Sequence, residues 1–163
     1  MVEDIKINVG FPPIYNKQSK ILILGSFPSV QRRKTQFYYG NKRNRFWRTL
    51  CGYFKEEIPQ TLEEKCEFLI KKGIALWDMV LTCNVEGSAD ASIKNIQIVD
   101  LNWILDNAPI EKILLNGTLA FELYEKHYGH LSIPYEKMPS TSPANPSYDE
   151  SVWRKALDDV FKN

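Results

Sequence analysis

Four short apolar runs, each followed by small and polar residues, are the feature that most constrains how this chain can fold. They cover residues 20–25, 74–77, 113–115 and 133–138, and helix-length segments separate them. Strands that alternate with helices favour a parallel sheet, because right-handed crossovers pack the helices against it. A chain of 163 residues can bury a sizeable core in one domain. We therefore predict a single α/β domain over residues 1–163, a three-layer α/β/α sandwich with a central, roughly four-stranded parallel sheet.

Helix-end patterns place the helices between these strands. Thr61 and Glu64 form a capping box for the second of the predicted helices, and Gly73 ends it. The predicted helices cover residues 44–54, 62–72, 100–107, 117–128 and 148–162. Residues 1–19 are expected to be irregular, because two adjacent prolines block regular structure. Residues 78–94 are predicted to form a long loop, and long loops are often functional.

The loops that follow the four predicted strands are expected to meet. They begin at Gly25-Ser26, at Asp78, at Asn116-Gly117 and at Ser140-Thr141-Ser142. The carboxyl ends of parallel strands lie at one edge of a sheet, and ligands of open α/β sheets bind there. The sequence therefore predicts one polar crevice at that edge.

The first of these loops is strongly basic and rich in aromatic residues. Residues 25–50 contain seven basic side chains and no acidic one, with Phe, Tyr and Trp interleaved. Cations bind phosphates, and flat rings stack on bases or wedge between them. The net charge of the chain is only +1, so any affinity for nucleic acid must come from this local patch. The alternative is a solvated basic surface, with Phe46 and Trp47 packing a helix into the core.

Metal, disulfide and nucleophilic chemistry have little support in the sequence. Cys51, Cys66 and Cys83 are odd in number and form no CxxC pair, which argues against zinc, iron–sulfur and disulfide frameworks. His127 and His130 lie apart from the four predicted loops, so we expect no Ser-His or Cys-His site. No cofactor and no metal are therefore expected.

No segment has the ~18 apolar residues that a membrane span needs. The N-terminus carries Glu3 and Asp4 and lacks an apolar signal core. We expect an intracellular, cytoplasmic protein that acts as a monomer and has no membrane partner.

Five motifs in order resemble the uracil-DNA glycosylase superfamily and, more narrowly, its hypoxanthine-DNA (deoxyinosine) glycosylase branch. They are ILILGSFPS (21–29), FYYGNKRNRFW (37–47), ALWDMVLTCNVEGSADASIKN (75–95), LLNGTLAFELY (114–124) and MPSTSPAN (138–145). The resemblance spans the chain from about Phe11 to Trp153. It implies a three-layer α/β/α fold, base flipping, and metal-free hydrolysis of an N-glycosidic bond in DNA, which places the protein at the nucleoid.

Two positions depart from the better-known relatives in the way the hypoxanthine branch does. Phe27 stands where uracil-specific and mismatch-specific members position the attacking water with Asp or Asn. Ser140 stands where classical uracil enzymes carry a base-stabilising His. The branch carries an Asn before the Phe-Trp of its second motif, which matches Asn44 here. Asn41 stands where the branch commonly has His, so it could alter pocket polarity or replace a supporting residue.

Asn44 is accordingly the predicted catalytic residue. Its carbonyl oxygen can place a water molecule, and a neutral amide acts by positioning and electrostatics rather than as a base. The alternative is that Asn44 caps the following helix, a position that Asn favours.

Hypoxanthine presents O6, N1–H and N7, which backbone N–H groups, amides and hydroxyls can recognise. The residues predicted to form the base pocket are Ser26, Phe27, Tyr39, Asn84, Ser88 and Asn116. Phe27 either stacks on the flipped base or fills the core. Asp78 either polarises water or is simply buried. Asp90 is expected to cap a local turn or the start of a helix at Ala91 rather than to take part in catalysis.

DNA contacts are predicted in two places. Arg32, Arg33, Lys34, Lys42 and Arg43 form the candidate phosphate patch. Ser140, Ser142 and Asn145 lie in a hydroxyl-rich loop fixed by prolines, which in the superfamily grips the backbone beside the extruded nucleotide. The alternative for this loop is a cap on the last helix, which Ser147 or Asp149 would supply better.

The expected function is therefore that of a monofunctional DNA glycosylase acting on hypoxanthine in DNA. No lysine stands out as a Schiff-base nucleophile, so no strand-cleaving step is expected. The same fold acting on uracil or mismatched bases is one alternative, and a non-catalytic nucleic-acid-binding module is the other.

Overall fold

The computed structural model describes residues 6–9, 11–26, 38–85 and 94–162. In chain order the elements are β1 (Lys6–Val9), β2 (Ile21–Gly25), α1 (Phe46–Tyr53), α2 (Leu62–Lys72), β3 (Ile74–Asp78), β4 (Val80–Val85), β5 (Lys94–Ile98), α3 (Asn102–Leu105), β6 (Lys112–Asn116), α4 (Thr118–Tyr128), β7 (Tyr135–Met138) and α5 (Glu150–Phe161).

The predicted parallel sheet is confirmed. Its four strands lie in the order β3-β2-β6-β7, and every neighbouring pair is parallel. The four apolar residues of β2 and the three of β6 are fully buried, as are the first three residues of β3. Continuous apolar runs of this kind are what a sheet covered on both faces requires. Helices flank the sheet, as the fold class predicts.

The strand order places a topological switch point between β2 and β6. The chain leaves β2 through α1 and α2 and returns as β3 on one side, whereas it leaves β6 through α4 and returns as β7 on the other. Because such crossovers are right-handed, the two connections cover opposite faces of the sheet. The ends of β2 and β6 therefore open a crevice at Gly25 and Asn116.

A second sheet was missed by the sequence analysis. β1, β4 and β5 form a three-stranded antiparallel sheet in the order β1-β4-β5. The prediction of irregular structure over residues 1–19 and of a loop over residues 78–94 was therefore wrong at these strands. One residue, Met79, separates β4 from β3, so no turn marks the boundary between them.

The helix ends follow the capping rules closely. Thr61 accepts a hydrogen bond from the Glu64 N–H at 3.1 Å, and Gly73 ends α2 with a φ of 75°. Asp149 caps α5 by accepting from the Ser151 N–H at 3.0 Å. The helix predicted over residues 100–107 is only the four-residue α3. The others are confirmed with bounds shifted by a residue or two.

Aromatic packing joins the helix after the basic loop to the last helix. The Phe46 ring meets the Trp153 ring edge to face, with 6.3 Å between centroids. Trp153 also donates from Nε1 to the Pro139 carbonyl at 2.9 Å. Both side chains are buried. These buried contacts therefore hold the start of α1 close to the segment that follows β7.

Candidate active site

The residues that follow β2 and β3 lie next to each other at the carboxyl edge of the sheet. The Met79 N–H donates to the Gly25 carbonyl at 2.8 Å, and the Val80 N–H donates to the Ser26 carbonyl at 3.0 Å. Asp78 pairs in register with Gly25 and its side chain is buried. Ser26 and Asp78 thus lie together at the carboxyl edge, as the sequence predicts.

The end of β6 is tied to residues 139–149, which connect β7 to α5 and which we call the closing loop. The Asn116 amide group donates to Thr141 Oγ1 at 3.0 Å, and its carbonyl oxygen accepts from the Thr141 N–H at 3.1 Å. Gly117 has a φ of 100°, and a Cβ there would lie 3.3 Å from Cβ of Ser140. Only glycine lets the two loops approach this closely without strain.

The closing loop holds its shape through its own side chains. Ser140 Oγ accepts from the Ser142 N–H, and Ser142 Oγ accepts from the Ala144 N–H, each at 3.2 Å. Asn145 donates from Nδ2 to the Ser140 carbonyl and accepts at Oδ1 from the Ser147 N–H, each at 3.0 Å. A hydroxyl that accepts from the backbone keeps its hydrogen as a donor. Ser140 and Ser142 can therefore still donate to an anionic oxygen.

A cleft of about 530 Å³ opens beside this loop. Its walls are polar and apolar in nearly equal measure, and they bring together the predicted Ser140, Ser142 and Asn145. The complete lining is Gly117, Thr118, Lys137, Met138, Pro139, Ser140, Ser142, Ala144, Asn145 and Ser147. Lys137 adds the single cation of this lining.

The segment before α1 contains two turns, and each is stabilised by a hydrogen bond between an asparagine side chain and the backbone. Asn41 Oδ1 accepts from the Arg43 N–H at 2.9 Å, which makes Asn41 a turn residue. Asn44 Oδ1 accepts from the Phe46 N–H at 2.9 Å, so Asn44 does support the start of α1. An amide carbonyl has two lone pairs, and this bond uses one of them. Helix capping and water binding are therefore compatible at Asn44.

Arg45 joins this segment to the closing loop. Its N–H donates to the Thr141 carbonyl at 3.0 Å. Its guanidinium donates from Nη2 to the Asn145 carbonyl at 3.0 Å, and its Cζ lies 4.7 Å from the centroid of the Tyr148 ring. The sequence placed Arg45 among the cations of the basic loop but did not identify these partners. The bond to Asn145 spans 100 residues of chain, and no local pattern marks it.

Tyr39 is buried and lies against the first residue of α1. Its ring stacks on that of Phe46 with 4.2 Å between centroids and 24° between planes. Its φ of 53° is left-handed, which is uncommon for a residue other than glycine. Backbone in this region persists only where the surroundings impose it, and such positions cluster at functional sites.

Several predicted site residues lie outside the described residues. These are Phe27, Arg32, Arg33, Lys34 and Ser88, together with Asp90 and the side chain of Asn84. Lys42 and Arg43 are described, and both are exposed beside the Asn41 turn. The described part of the predicted patch therefore faces solvent.

Electrostatics disfavour thiol chemistry here. Burial, together with the charge of Glu56, raises the pKa of Cys51 to about 11, so its thiol stays protonated at neutral pH. Burial also raises the pKa of Cys66.

Among the described residues, no three His, Cys, Asp or Glu side chains are grouped so as to hold a metal ion. No helix in the described ranges has the length and apolar character to cross a membrane.

Comparison with known proteins agrees with this geometry. The family model of the uracil DNA glycosylase superfamily matches residues 12–161. A protein named hypoxanthine DNA glycosylase from Methanosarcina acetivorans is 36% identical over 90% of this chain and 96% of its own length. One of the same name from Methanosarcina barkeri is 35% identical over 83% and 87%.

A solved structure is similar in fold as well as sequence. The solution NMR structure of a proposed uracil DNA glycosylase from Methanosarcina acetivorans has a TM-score of 0.83 and 33% identity. It covers 94% of this chain, and this chain covers 98% of it. The resemblance inferred from the five motifs is confirmed, and the chain belongs to the uracil DNA glycosylase superfamily.

Proposed function

We propose that the protein is a monofunctional DNA glycosylase that releases hypoxanthine from deoxyinosine in DNA. The observation that carries this is the position of Asn44. Its amide oxygen keeps one lone pair that can accept from water, and it lies next to a hydroxyl-rich loop at the carboxyl edge of the sheet. The relatives named hypoxanthine DNA glycosylase support the choice of base. The protein would act within the cell, at the nucleoid, as a monomer.

Asn44 places the attacking water in this mechanism. The free lone pair of Oδ1 accepts a hydrogen bond from the water, whose oxygen then attacks C1′ of the extruded nucleotide. The C1′–N9 bond breaks and its electron pair leaves with the purine, which takes up a proton. The water loses a proton, and the products are free hypoxanthine and an abasic site. The amide acts by orientation and by stabilising the positive sugar, because it cannot serve as a base.

The base pocket must tell hypoxanthine from adenine. Hypoxanthine accepts a hydrogen bond at O6 and donates one from N1–H, and adenine inverts both. Ser26 supplies a hydroxyl at the end of β2, and Asn116 holds the neighbouring loop in place. Phe27, Tyr39, Asn84 and Ser88 complete the proposed pocket. Failure to satisfy a buried polar group is a strong source of discrimination, so intact adenine should be spared.

DNA backbone binding is divided between the closing loop and the basic patch. The hydroxyls of Ser140 and Ser142 and the amide of Asn145 contact phosphate without long flexible stems. Lys42 and Arg43 add exposed charge, together with Arg32, Arg33 and Lys34 in the proposal. Removal of one phosphate contact should make the slope of log affinity against log salt concentration shallower by about one.

A side-by-side excision assay tests the proposal. Single-turnover rates would be measured on otherwise identical duplexes that contain hypoxanthine, uracil or adenine. We expect hypoxanthine to be released well above uracil. Phe27 stands where uracil-specific members position the attacking water, and Ser140 stands where they carry the histidine that stabilises the departing pyrimidine. A higher rate on uracil would reassign the substrate within the superfamily. DNA binding without excision of any base would instead make the protein a binding module.

A further inference from the structure

Arg45 directly follows Asn44 and contacts the closing loop at three points. We propose that Arg45 is a positioning residue, which sets the distance between the Asn44 amide and the loop that holds the DNA backbone. This inference rests on the proposed function. It assigns Arg45 a partner within the protein rather than a phosphate of the DNA.

The three contacts of Arg45 reach three separate points of the loop. Its N–H donates to the Thr141 carbonyl, its guanidinium donates to the Asn145 carbonyl, and the guanidinium carbon lies over the Tyr148 ring. One residue thus spans the loop from its beginning to its end. Because Asn44 is the preceding residue, its backbone is fixed by the same contacts.

Each partner of Arg45 is itself anchored. Thr141 is buried and makes two hydrogen bonds with Asn116 at the end of β6. Asn145 is bonded to the Ser140 carbonyl. The Tyr148 hydroxyl is hydrogen-bonded to Thr49 on α1. Arg45 is therefore linked to the end of β6 through Thr141 and to α1 through Tyr148.

A planar guanidinium suits these contacts and an ammonium group does not. Arginine can donate a directed hydrogen bond while it stacks on a ring, whereas lysine presents a compact, strongly hydrated charge. Among the described residues, no carboxylate forms an ion pair with Arg45. The side chain is therefore held by a carbonyl dipole and a ring face, which both depend on geometry.

The test compares R45A and R45K with R154A. Arg154 is an exposed arginine on α5, paired with Glu150 one turn away, and it lies outside the proposed DNA contacts. At saturating enzyme, R45A should excise hypoxanthine about 10- to 100-fold more slowly than wild type, because small misplacements of a catalytic group carry costs of this size. Its Kd for the same duplex should change no more than about threefold, within the change that R154A itself shows.

R45K separates positioning from charge and also serves if R45A does not fold. It retains the charge but not the planar guanidinium, so it should bind DNA like wild type and excise about tenfold more slowly at saturating enzyme. Full recovery of the rate in R45K, or a loss in R45A confined to Kd, would mean that Arg45 contributes charge to DNA binding, and the inference would be wrong.

Hydrogen exchange on the free protein gives a readout that does not involve excision. In R45A and R45K, the amides of residues 41–45 and 140–148 should exchange faster than in wild type, while those of β2 and β6 should not. Unchanged exchange in these two segments would overturn the inference even if excision slowed. Wild-type protein that releases no base would overturn the proposed function, and the Arg45 role in catalysis with it, whatever the exchange data show.

Discussion

The central sheet and the closing loop are neighbours that are held together by different forces. In the sheet, β2 is a run of four fully buried apolar side chains, paired through the backbone to β3 and β6. In the closing loop, side-chain oxygens and amides bond the backbone of the loop itself. The sheet therefore depends on volume and burial, whereas the loop depends on which atoms are present.

This difference separates stability from chemistry. Any apolar side chain of the right size can fill a core position with modest loss. A hydroxyl or amide that bonds a backbone group has no apolar substitute, because the partner is then left without a hydrogen bond. Substitutions in the sheet should therefore change the free energy of unfolding. Substitutions around the loop should mainly change excision.

The largest effect is expected at Asn44. Asn44→Ala should slow excision by about 10²- to 10⁴-fold, the range for a positioned catalytic group. DNA affinity should change little because Asn carries no charge. Asn44→Ser is the matched control, since serine supplies an equally good cap acceptor but no amide. It should be as stable as wild type and as slow as Asn44→Ala. An active Asn44→Ser protein would show that excision does not require the amide of Asn44.

Leu114 is a core residue whose substitution should affect stability and leave excision unchanged. It is fully buried in β6 between β2 and β7. Leu114→Ala should lower the free energy of unfolding by about 2–5 kcal/mol, whereas Leu114→Met should cost less than about 1.5 kcal/mol. Denaturant titration measures both. The excision rate of the folded fraction should stay at the wild-type value, and a rate loss comparable to that of Asn44→Ala would break the comparison.

Asn116 stands where the two regions meet, so it should show a mixed effect. Asn116→Ala removes both bonds to Thr141 and leaves the Thr141 N–H without its acceptor. We expect a loss of about 1–3 kcal/mol in unfolding free energy, together with slower excision. Thr141→Ser keeps the hydroxyl and should preserve both properties. Wild-type excision by Asn116→Ala would show that the closing loop does not depend on the end of β6.

The sequence predicts the sheet better than the loop for the same physical reason. Apolar runs mark β2 and β6 directly, because the apolar character that favours burial belongs to each residue by itself. The strand β4 was missed because it follows β3 after the single residue Met79, without a turn. The hydrogen-bond partners of a hydroxyl or amide depend on the tertiary structure, so the sequence around the residue does not identify them.

Arg45 illustrates that limit. The sequence counts Arg45 only among the cations of the basic loop, and the structure shows that its side chain bonds the Asn145 carbonyl. For Asn44, the sequence left capping and water binding as alternatives, and the structure shows that its amide oxygen accepts from the N–H of Phe46, the first residue of α1. The catalytic role of Asn44 stays a prediction, which the serine variant addresses.

The smallest effect is expected at the opposite edge of the sheet, where Lys112 begins β6. Lys112 Nζ lies 2.9 Å from Asp159 and 3.0 Å from Glu136. The hydrogen bond and the charge of Lys112 lower the pKa of Asp159 below its ordinary 3.8. Burial alone would lower the pKa of Lys112, but its bonds to Asp159 and Glu136 outweigh burial and raise it.

The signs of these shifts set the expected pH dependence of stability. A carboxyl group with a lowered pKa stabilises the fold fully above its ordinary value and loses that contribution as pH falls through its folded value. Asp159→Asn should therefore be less stable than wild type at neutral pH, and the difference should vanish as pH falls below 3.8. Thermal unfolding of both proteins across this range measures it. Excision at neutral pH should be equal in the two, because Asp159 is remote from the carboxyl edge; a slower Asp159→Asn enzyme would show that the two edges of the sheet are coupled.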